Sequence, residues 1–456
     1  GTPAPTTPPQ RLAIPPLGNE ASGDISVQRN GAHLEAIPSQ SLGQTVLEAH
    51  GFSRDERKIV LCNSYVTGAF QEGTLPTNLL PEPSGDAYLV FTAAPTLMPG
   101  ETLVSLTFQP GVLDYYRSIG LLSPEASIIE VNPDPQCVSQ AGFPFTDPIS
   151  QLPEGDSRLT GSYFISTFPS EVARQRSSSL GSASVQNYDP AYLNNKAQFR
   201  IDAPEYGYRM LPGIVCQSPE DLLQVTQFQG TKLWAKLATG SGGDLVQPVY
   251  PNEGALESAL TQLRNAVHSA FSNAQFPHEA SGEAFWPSHA LTPSAERVVI
   301  EQDAAVLGPI LLNGSMNVCL HRDGTFELVD YFRQNTAPDG SYRGSERFHP
   351  EDLSHAVHEA IDEQAQQVFA YAHDHGYRGY IGFDFFVLGS QDNPTVYCIE
   401  LNARPTMSTV PALTAKKMQS LSGGESRYDD YINVNIEAPF PLETISDIQR
   451  ALSIHG

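Results

Sequence analysis

The chain has 456 residues, and 40% of them are hydrophobic, so it can form about two to four domains with packed cores and is not wholly disordered. Asp and Glu number 51 against 26 Lys and Arg, and the formal charge of −25 excludes a generally basic face that would bind nucleic acid. No apolar run reaches the roughly 18 residues of a membrane-spanning helix, so no membrane partner is expected.

The cysteines are odd in number, scattered and without a Cys-x-x-Cys pair. This pattern predicts free thiols and a reducing, cytoplasmic location. The five residues are Cys62, Cys137, Cys216, Cys319 and Cys398.

Three regions follow one another in the N-terminal part of the chain. Residues 1–55 are rich in Pro, Ser, Gln and Gly, which predicts an extended arm with one short helix near Leu42–His50. Residues 56–185 alternate short apolar runs with Pro, Gly and polar stretches, which predicts an α/β domain. The Ser-rich stretch 174–190 predicts a linker or mobile loop.

The chain is more regular after this stretch. Ser218 as an N-cap before Pro219 predicts a helix start, and apolar spacing predicts two longer helices at 254–275 and 351–373. Alternating apolar runs predict two strands, at 231–238 and 297–303, and two hairpins, at 315–332 and 380–403. The region therefore mixes helices and strands.

The last hairpin carries the most informative residues. If Gly389 lies near Thr395, the register places Asp384 beside Glu400, with Asn402 and Arg404 on the same face as Glu400. Two carboxylates, an amide oxygen and a guanidinium suit Mg²⁺ bound to a polyphosphate. The alternative is a structural cluster at the rim of a sheet.

Lys236 lies in the predicted strand 231–238, just before a Gly-rich turn. A lysine and exposed backbone N–H groups can hold phosphates, although a plain hairpin tip has the same composition. The turn matches neither the P-loop nor the Rossmann pattern. Its residues are Thr239, Gly240, Ser241, Gly242 and Gly243.

A second acidic motif, Glu301-Gln302-Asp303, ends the strand RVVIEQD. The backbone at such a strand end can pair with an adenine edge, and a carboxylate can hold ribose hydroxyls. Acids that simply cap a strand would look the same.

Together these motifs resemble the ATP-grasp superfamily of carboxylate–amine or carboxylate–thiol ligases over residues 190–417. The segment FDFF…YCIELNAR is similar to the family's metal-binding hairpin, NNKAQFR to its first lysine motif, and LWAKLATGSGGD to its second lysine and phosphate flap. The N-terminal domain and FRQNTAPDGSYRGS are most similar to pheganomycin-type peptide ligases. The resemblance implies an α/β (α+β) architecture, in which a pre-ATP-grasp domain at 56–185 precedes a small lobe at 186–300, a large lobe at 301–430 and a tail at 431–456.

The resemblance also implies roles for individual residues. Lys196, Lys236 and the loop would bind ATP phosphates, and Lys236 would also act in catalysis. Glu301, Gln302 and Asp303 would frame the adenosine. Asp384, Glu400 and Asn402 would hold one or two Mg²⁺, or Mn²⁺, and Arg404 would be catalytic. Arg333, Gln334 and Arg343 are candidates for contacting the substrate.

The implied function is ATP-dependent formation of an amide or peptide bond through an acyl phosphate, with small-molecule carboxylate and amine or peptide substrates. A homodimer is expected by analogy with the family. Two alternatives stay open: ATP-grasp chemistry with a thiol, hydroxyl or bicarbonate acceptor, and a non-catalytic nucleotide-binding protein.

Overall fold

A computed structural model describes fourteen segments of the chain. They are residues 41–62, 93–106, 111–131, 152–167, 171–186, 188, 190–216, 219–228, 231–238, 246–249, 297–338, 340, 342–421 and 432–434. The predicted arm before residue 41, the loop 239–243, the helix 254–275 and the residues after 434 lie outside them, as do Cys137 and Ser218. None of the helices in these segments is long and apolar enough to cross a membrane.

The described residues form a mixed α/β fold. The helices are α1 (Leu42–Ala49), α2 (Val112–Ser118), α3 (Glu171–Ser179), α4 (Pro190–Leu193), α5 (Lys196–Tyr206), α6 (Ala304–Leu307), α7 (His355–Asp374) and α8 (Thr409–Leu421). Short 3₁₀ helices span Ala94–Thr96, Pro219–Phe228 and Pro350–Asp352. The strands are β1 (Lys58–Leu61), β2 (Thr102–Leu106), β3 (Ser127–Val131), β4 (Tyr163–Ser166), β5 (Ala183–Ser184), β6 (Gly213–Cys216), β7 (Leu233–Leu237), β8 (Val246–Val249), β9 (Val298–Gln302), β10 (Ile310–Leu320), β11 (Phe326–Thr336), β12 (Tyr342–Arg347), β13 (Gly379–Gly389), β14 (Pro394–Asn402) and β15 (Ile432–Val434).

The N-terminal sheet is parallel, with the strand order β3-β2-β1-β4-β5. Its strands read as short apolar runs because parallel sheets are covered on both faces. Helix α1 confirms the helix predicted near Leu42–His50. The Ser41 hydroxyl caps this helix by accepting a hydrogen bond from the Gln44 N–H at 2.7 Å. Leu42 and Leu47 are fully buried, so this part of the chain belongs to the core and is not extended.

The prediction of a loop over 174–190 is wrong for much of its length, because helix α3 and strand β5 occupy it. Ala173 and Leu180 are buried against the parallel sheet. Arg176 donates hydrogen bonds at 2.7 Å to the backbone oxygen of Leu152 and to the carboxylate of Glu154. Tertiary contacts therefore hold this Ser-rich segment in a helix despite its low propensity.

Two antiparallel sheets make up the rest of the described chain. The smaller has the order β6-β9-β7-β8, and its apolar face packs around Val225 of the 3₁₀ helix. The larger has the order β14-β13-β10-β11-β12-β15. Helix α7 covers one face of the larger sheet and buries Met316, Phe383 and Phe385. Ser354 caps α7, which begins later than predicted because Pro350–Asp352 forms a 3₁₀ turn.

The opposite face of the larger sheet is apolar at one end of its strands and polar at the other. At one end Cys319 and Tyr380 pack with α1 and α8. At the other end the same face carries Asp384 and Ser315, which are cross-strand partners. The predicted hairpins 315–332 and 380–403 are both confirmed, and the second places Glu400 beside Asp384 on this polar end of the face.

Candidate active site

The hairpin β13–β14 brings the two predicted carboxylates together. Asp384 pairs with Glu400, and Gly382 pairs with Asn402. Nearer the turn, however, the partner of Thr395 is Leu388, one residue away from the register assumed from the sequence. A bulge at Ile399 absorbs this difference, so the carboxylates still meet on one face.

The two carboxyl groups share the amide of Asn402. Its Nδ2 atom donates to Asp384 Oδ2 at 3.1 Å and to Glu400 Oε1 at 3.5 Å. Burial, and then the charge of Glu400, raise the pKa of Asp384, although hydrogen bonds from Ser315 and Gln334 oppose this shift. A divalent cation between the groups would relieve the same repulsion.

These residues fit Mg²⁺ or Mn²⁺ with a nucleotide. Two carboxylates and an amide are hard oxygen donors, and Mg²⁺ usually takes one or two carboxylates and completes its shell with water and phosphate. No group of three or more His, Cys, Asp or Glu with metal-binding geometry exists among the described residues, so a metal ion here would also need amide, water or phosphate oxygens. The Asn402 amide would have to rotate to present its oxygen.

Lys196 reaches this carboxylate pair from helix α5. Its Nζ atom lies 2.6 Å from Glu400 Oε2, and both side chains are largely shielded from solvent. Burial alone would raise the pKa of Glu400, but the charges of Lys196, Arg404 and Lys236 outweigh it and lower that pKa. Three cations predicted from separate motifs therefore act on one carboxylate.

Lys236 takes part in a second buried ion cluster. It pairs with Glu301, whose other carboxylate oxygen accepts from Arg200 at 2.7 Å. Burial opposes ionisation of Glu301, but the two cations lower the pKa of its carboxyl group. Both carboxylate oxygens of Glu301 thus pair with cations. Glu301 therefore has a structural role in addition to the role predicted for it at the adenosine.

Asp303 is also engaged by protein groups. It caps helix α6 through the Ala305 N–H, accepts from Trp234 Nε1 at 2.9 Å and pairs with Lys232 at 3.0 Å. The backbone N–H groups of Gln302 and Asp303 donate to Pro212 and Lys232. The nucleotide roles predicted for Gln302 and Asp303 stay predictions, because these contacts explain both residues without a ligand.

Only one of the three candidate substrate residues lies beside the carboxylate pair. Gln334 hydrogen-bonds Asp384 and so belongs to the site. Arg333, its neighbour on β11, is half exposed and lies 3.4 Å from Glu346. Arg343 is exposed on β12. Adjacent strand residues face opposite ways, which is why Gln334 enters the site while Arg333 does not.

Sequence reasoning missed three residues of this region: Asn194, Arg200 and Ser315. Arg200 is almost fully buried on α5, one turn beyond Lys196. Ser315 has the same strand parity as the polar face of β10. Asn194 accepts hydrogen bonds from the Ala403 N–H at 2.9 Å and from Arg404 Nη1 at 2.8 Å. The signal available for Asn194 was its place as the first residue of the motif NNKAQFR.

Comparisons with known proteins give distant likenesses. No family model matches the chain, and no curated protein matches it. Among solved structures it is similar to a biotin carboxylase–βγ-ATP complex from Campylobacter jejuni, at 14% identity over 84% of this chain and 74% of that one, with a TM-score of 0.49. It is similar to D-alanyl-alanine synthetase A from Vibrio cholerae, at 14% over 88% and 98%, with a TM-score of 0.43. It is also similar to an L-amino acid ligase from Bacillus licheniformis, at 13% over 82% and 79%, with a TM-score of 0.44. These likenesses assign neither a family nor an activity, which leaves the site as the basis for a functional proposal.

Proposed function

We propose that the protein is an ATP-dependent ligase of the ATP-grasp type, which joins a carboxylate to an amine and releases ADP and phosphate. One observation carries the proposal: Lys196, Lys236 and Arg404 act on the Glu400 end of a carboxylate pair on the polar face of the larger sheet. Such a concentration of cations in a chain with a charge of −25 suits the binding of a polyphosphate and its metal ion.

The proposed reaction has two balanced steps. The substrate carboxylate attacks the γ-phosphoryl group of ATP, which forms an acyl phosphate and releases ADP. A neutral amine then attacks the acyl carbon, the C–O bond to phosphate breaks, and the amine gives up a proton as the amide forms. Mg²⁺ held by Asp384, Glu400 and Asn402 would supply charge neutralisation for the phosphates.

The two lysines and the arginine have different roles in the proposed reaction. Lys196 and Lys236 bind and orient the nucleotide phosphates. The Arg404 guanidinium, with donors in a fixed plane, stabilises negative charge on the transferred phosphoryl group and on the tetrahedral centre that follows. The Gly-rich segment 239–243 is proposed to exclude water from the acyl phosphate.

The finer assignments are also proposals. An amino acid or peptide as substrate follows from the similarity of residues 332–345 and the N-terminal domain to pheganomycin-type ligases. A thiol, hydroxyl or bicarbonate acceptor would need the same metal and phosphate residues. A non-catalytic binder has no need of three metal-ligand side chains, and Asp384, Glu400 and Asn402 occupy one face of a single hairpin. Cytoplasmic location, a homodimer and the absence of nucleic-acid and membrane partners stay predictions.

Analysis of the nucleotide products tests the proposal. The protein is incubated with Mg²⁺, ATP and pools of amino acids and short peptides, and ADP is separated from AMP. ADP that forms only when a carboxylate and an amine are both present supports the ligase. AMP with pyrophosphate contradicts the acyl phosphate.

Two variants control this experiment. Glu400→Gln should abolish ADP formation. Glu351→Gln removes a carboxylate whose side chain is 76% exposed, and it should leave the rate unchanged. A Glu400→Gln variant with normal turnover would exclude the assigned site.

A further inference from the structure

The dipeptide Ala403-Arg404 follows strand β14. Two residues that precede helix α5, Tyr188 and Asn194, form hydrogen bonds with the backbone of Ala403. Tyr188 donates from its hydroxyl to the Ala403 backbone oxygen at 3.4 Å, and Asn194 accepts from the Ala403 N–H at 2.9 Å. Ala403 is completely buried. The peptide group at each side of Ala403 is thereby fixed, and so is the point from which the Arg404 side chain departs.

The same amide oxygen of Asn194 also holds the side chain of Arg404. Arg404 Nη1 donates to Asn194 Oδ1 at 2.8 Å. One oxygen therefore accepts from both the backbone before Arg404 and the guanidinium itself. An arginine side chain has several rotatable bonds, and fixing both its base and its head removes most of the orientations open to it.

The two residues that follow Asn194 make different contacts, of which only those of Lys196 reach the site. Asn195 caps helix α5 through the Gln198 N–H at 3.0 Å. Lys196 donates its N–H to Ala238 at 2.8 Å and pairs with Glu400 through its side chain. A three-residue segment thus links the carboxylate hairpin, the start of α5 and the strand end that precedes the Gly-rich loop.

We propose that Asn194 is a positioning residue that sets the direction of the Arg404 guanidinium toward the reacting phosphoryl group. This inference rests on the proposed function, and it adds a residue to which none of the motifs assigned a part. Asn194 acts through Arg404 and does not itself touch the substrate. A guanidinium misplaced by about 1 Å forfeits much of its effect on a transition state, so losing the amide should act on the chemical step.

The experiment is a double-mutant cycle in the full chain with Asn194→Ala and Arg404→Met. Asn194→Ala should lower kcat about 10- to 100-fold while the KM for ATP changes little. In the Arg404→Met background the same change should have no further effect beyond about twofold. Asn194→Asp keeps an acceptor oxygen for both N–H groups and should restore most of the rate. Independent, multiplicative losses would overturn the inference.

Asn195→Ala is the matched control, because it removes the neighbouring amide and a helix cap without touching Arg404. It should lower the thermal midpoint while kcat stays within about twofold of the wild type. A loss of kcat as large as that of Asn194→Ala would show that any disturbance at the start of α5 suffices, and it would overturn the specific role of Asn194.

A second measurement does not depend on turnover. Orthovanadate binding to the Mg·ADP complex is measured by calorimetry as a mimic of the transferred phosphoryl group. Asn194→Ala should weaken vanadate binding at least about tenfold and leave Mg·ADP affinity unchanged. If Arg404→Met weakens vanadate and Asn194→Ala does not, the positioning role is excluded while the proposed function stands. If neither Arg404→Met nor Asn194→Ala weakens vanadate binding, the role of Arg404 in the proposed function is wrong, and the inference about Asn194 is wrong with it.

Discussion

Lys196 Nζ and Glu400 Oε2 lie 2.6 Å apart, so an ion pair joins the first residue of helix α5 to the end of strand β14. The pair connects a residue proposed to bind phosphate with a residue proposed to bind metal. Under the proposed function, Lys196 would exchange Glu400 for phosphate oxygens, and Glu400 would exchange Lys196 for a metal ion.

Lys196→Met tests this relationship. The variant keeps much of the side-chain length but removes the charge, so the affinity for Mg·ADP should fall about tenfold because a charge-assisted phosphate contact is lost. Removing Lys196 also raises the pKa of Glu400. Calorimetric titration with Mg·ADP measures the change. Arg117→Met, which removes an exposed cation of helix α2, is the control and should bind as the wild type does. Equal affinity in both variants would remove Lys196 from the nucleotide site.

Asp384→Asn should weaken Mn²⁺ binding at least about tenfold, as judged by electron paramagnetic resonance of the free ion. The fold should persist, because the change removes a buried charge that lies beside Glu400. The thermal midpoint of the variant should therefore equal or exceed that of the wild type. Asp392→Asn, at an exposed turn, is the control. Unchanged Mn²⁺ binding would contradict the assignment of Asp384 as a metal ligand. Unfolding of Asp384→Asn would contradict the expectation that its buried charge destabilises the fold.

The hairpin that carries this site was predictable because strand alternation and turn residues are local signals. Alternation placed Glu400 and Asn402 on one face, and the structure confirms both positions. The bulge at Ile399 was not predictable, since nothing in the local pattern marks which residue a strand leaves unpaired. The predicted pairing of Asp384 with Glu400 is confirmed, because the bulge offsets the one-residue error in the register assumed near the turn.

Residues that act through distant partners could not be found from the sequence. Asn194 and Arg200 gain their roles from Arg404 and Glu301, which lie far along the chain, and no local spacing encodes those contacts. The helix over 171–179 was missed for a related reason. Its serines favour a loop, and the buried side chains of Ala173 and Leu180 reverse that preference only in the packed domain.

Glu301→Gln should destabilise the fold by about 3–5 kcal/mol, because it removes the carboxylate that pairs with Arg200 and Lys236, two cations that are largely shielded from solvent. Urea unfolding at neutral pH measures the loss. Glu346→Gln is the matched control, since its partner Arg333 is half exposed, and it should cost no more than about 1 kcal/mol. If the two variants lose equal stability, the Glu301 cluster does not have the structural part assigned to it.

Gly213→Ala should disturb the pairing of strand β6 with strand β9, which carries Glu301. A Cβ atom at position 213 would lie 2.3 Å from the Ile300 carbonyl oxygen and 2.8 Å from the Glu301 Cα atom, and neither backbone atom can move away without shifting β9. A loss of about 1–3 kcal/mol is expected on urea unfolding. Gly308→Ala, where a Cβ would meet nothing within 4 Å, is the control and should have little effect. Wild-type stability of Gly213→Ala would mean that β6 and β9 are less closely packed than described.

The stability of the protein should fall in acid partly because of His50. Burial lowers the pKa of His50 from 6.5 to about 4, with a smaller contribution from Arg378, while the hydrogen bond to the Val46 backbone oxygen opposes the shift. The folded protein then binds this proton less readily than the unfolded chain, so the stabilising effect is complete above pH 6.5 and is lost as the pH falls toward 4. Between pH 7.5 and 5.0 the wild type should lose about 2 kcal/mol more in urea unfolding than His50→Gln does. His355→Gln, whose side chain is 81% exposed, should show the pH dependence of the wild type. If His50→Gln also loses stability as the wild type does, the neutral imidazole of His50 is not a source of the acid sensitivity.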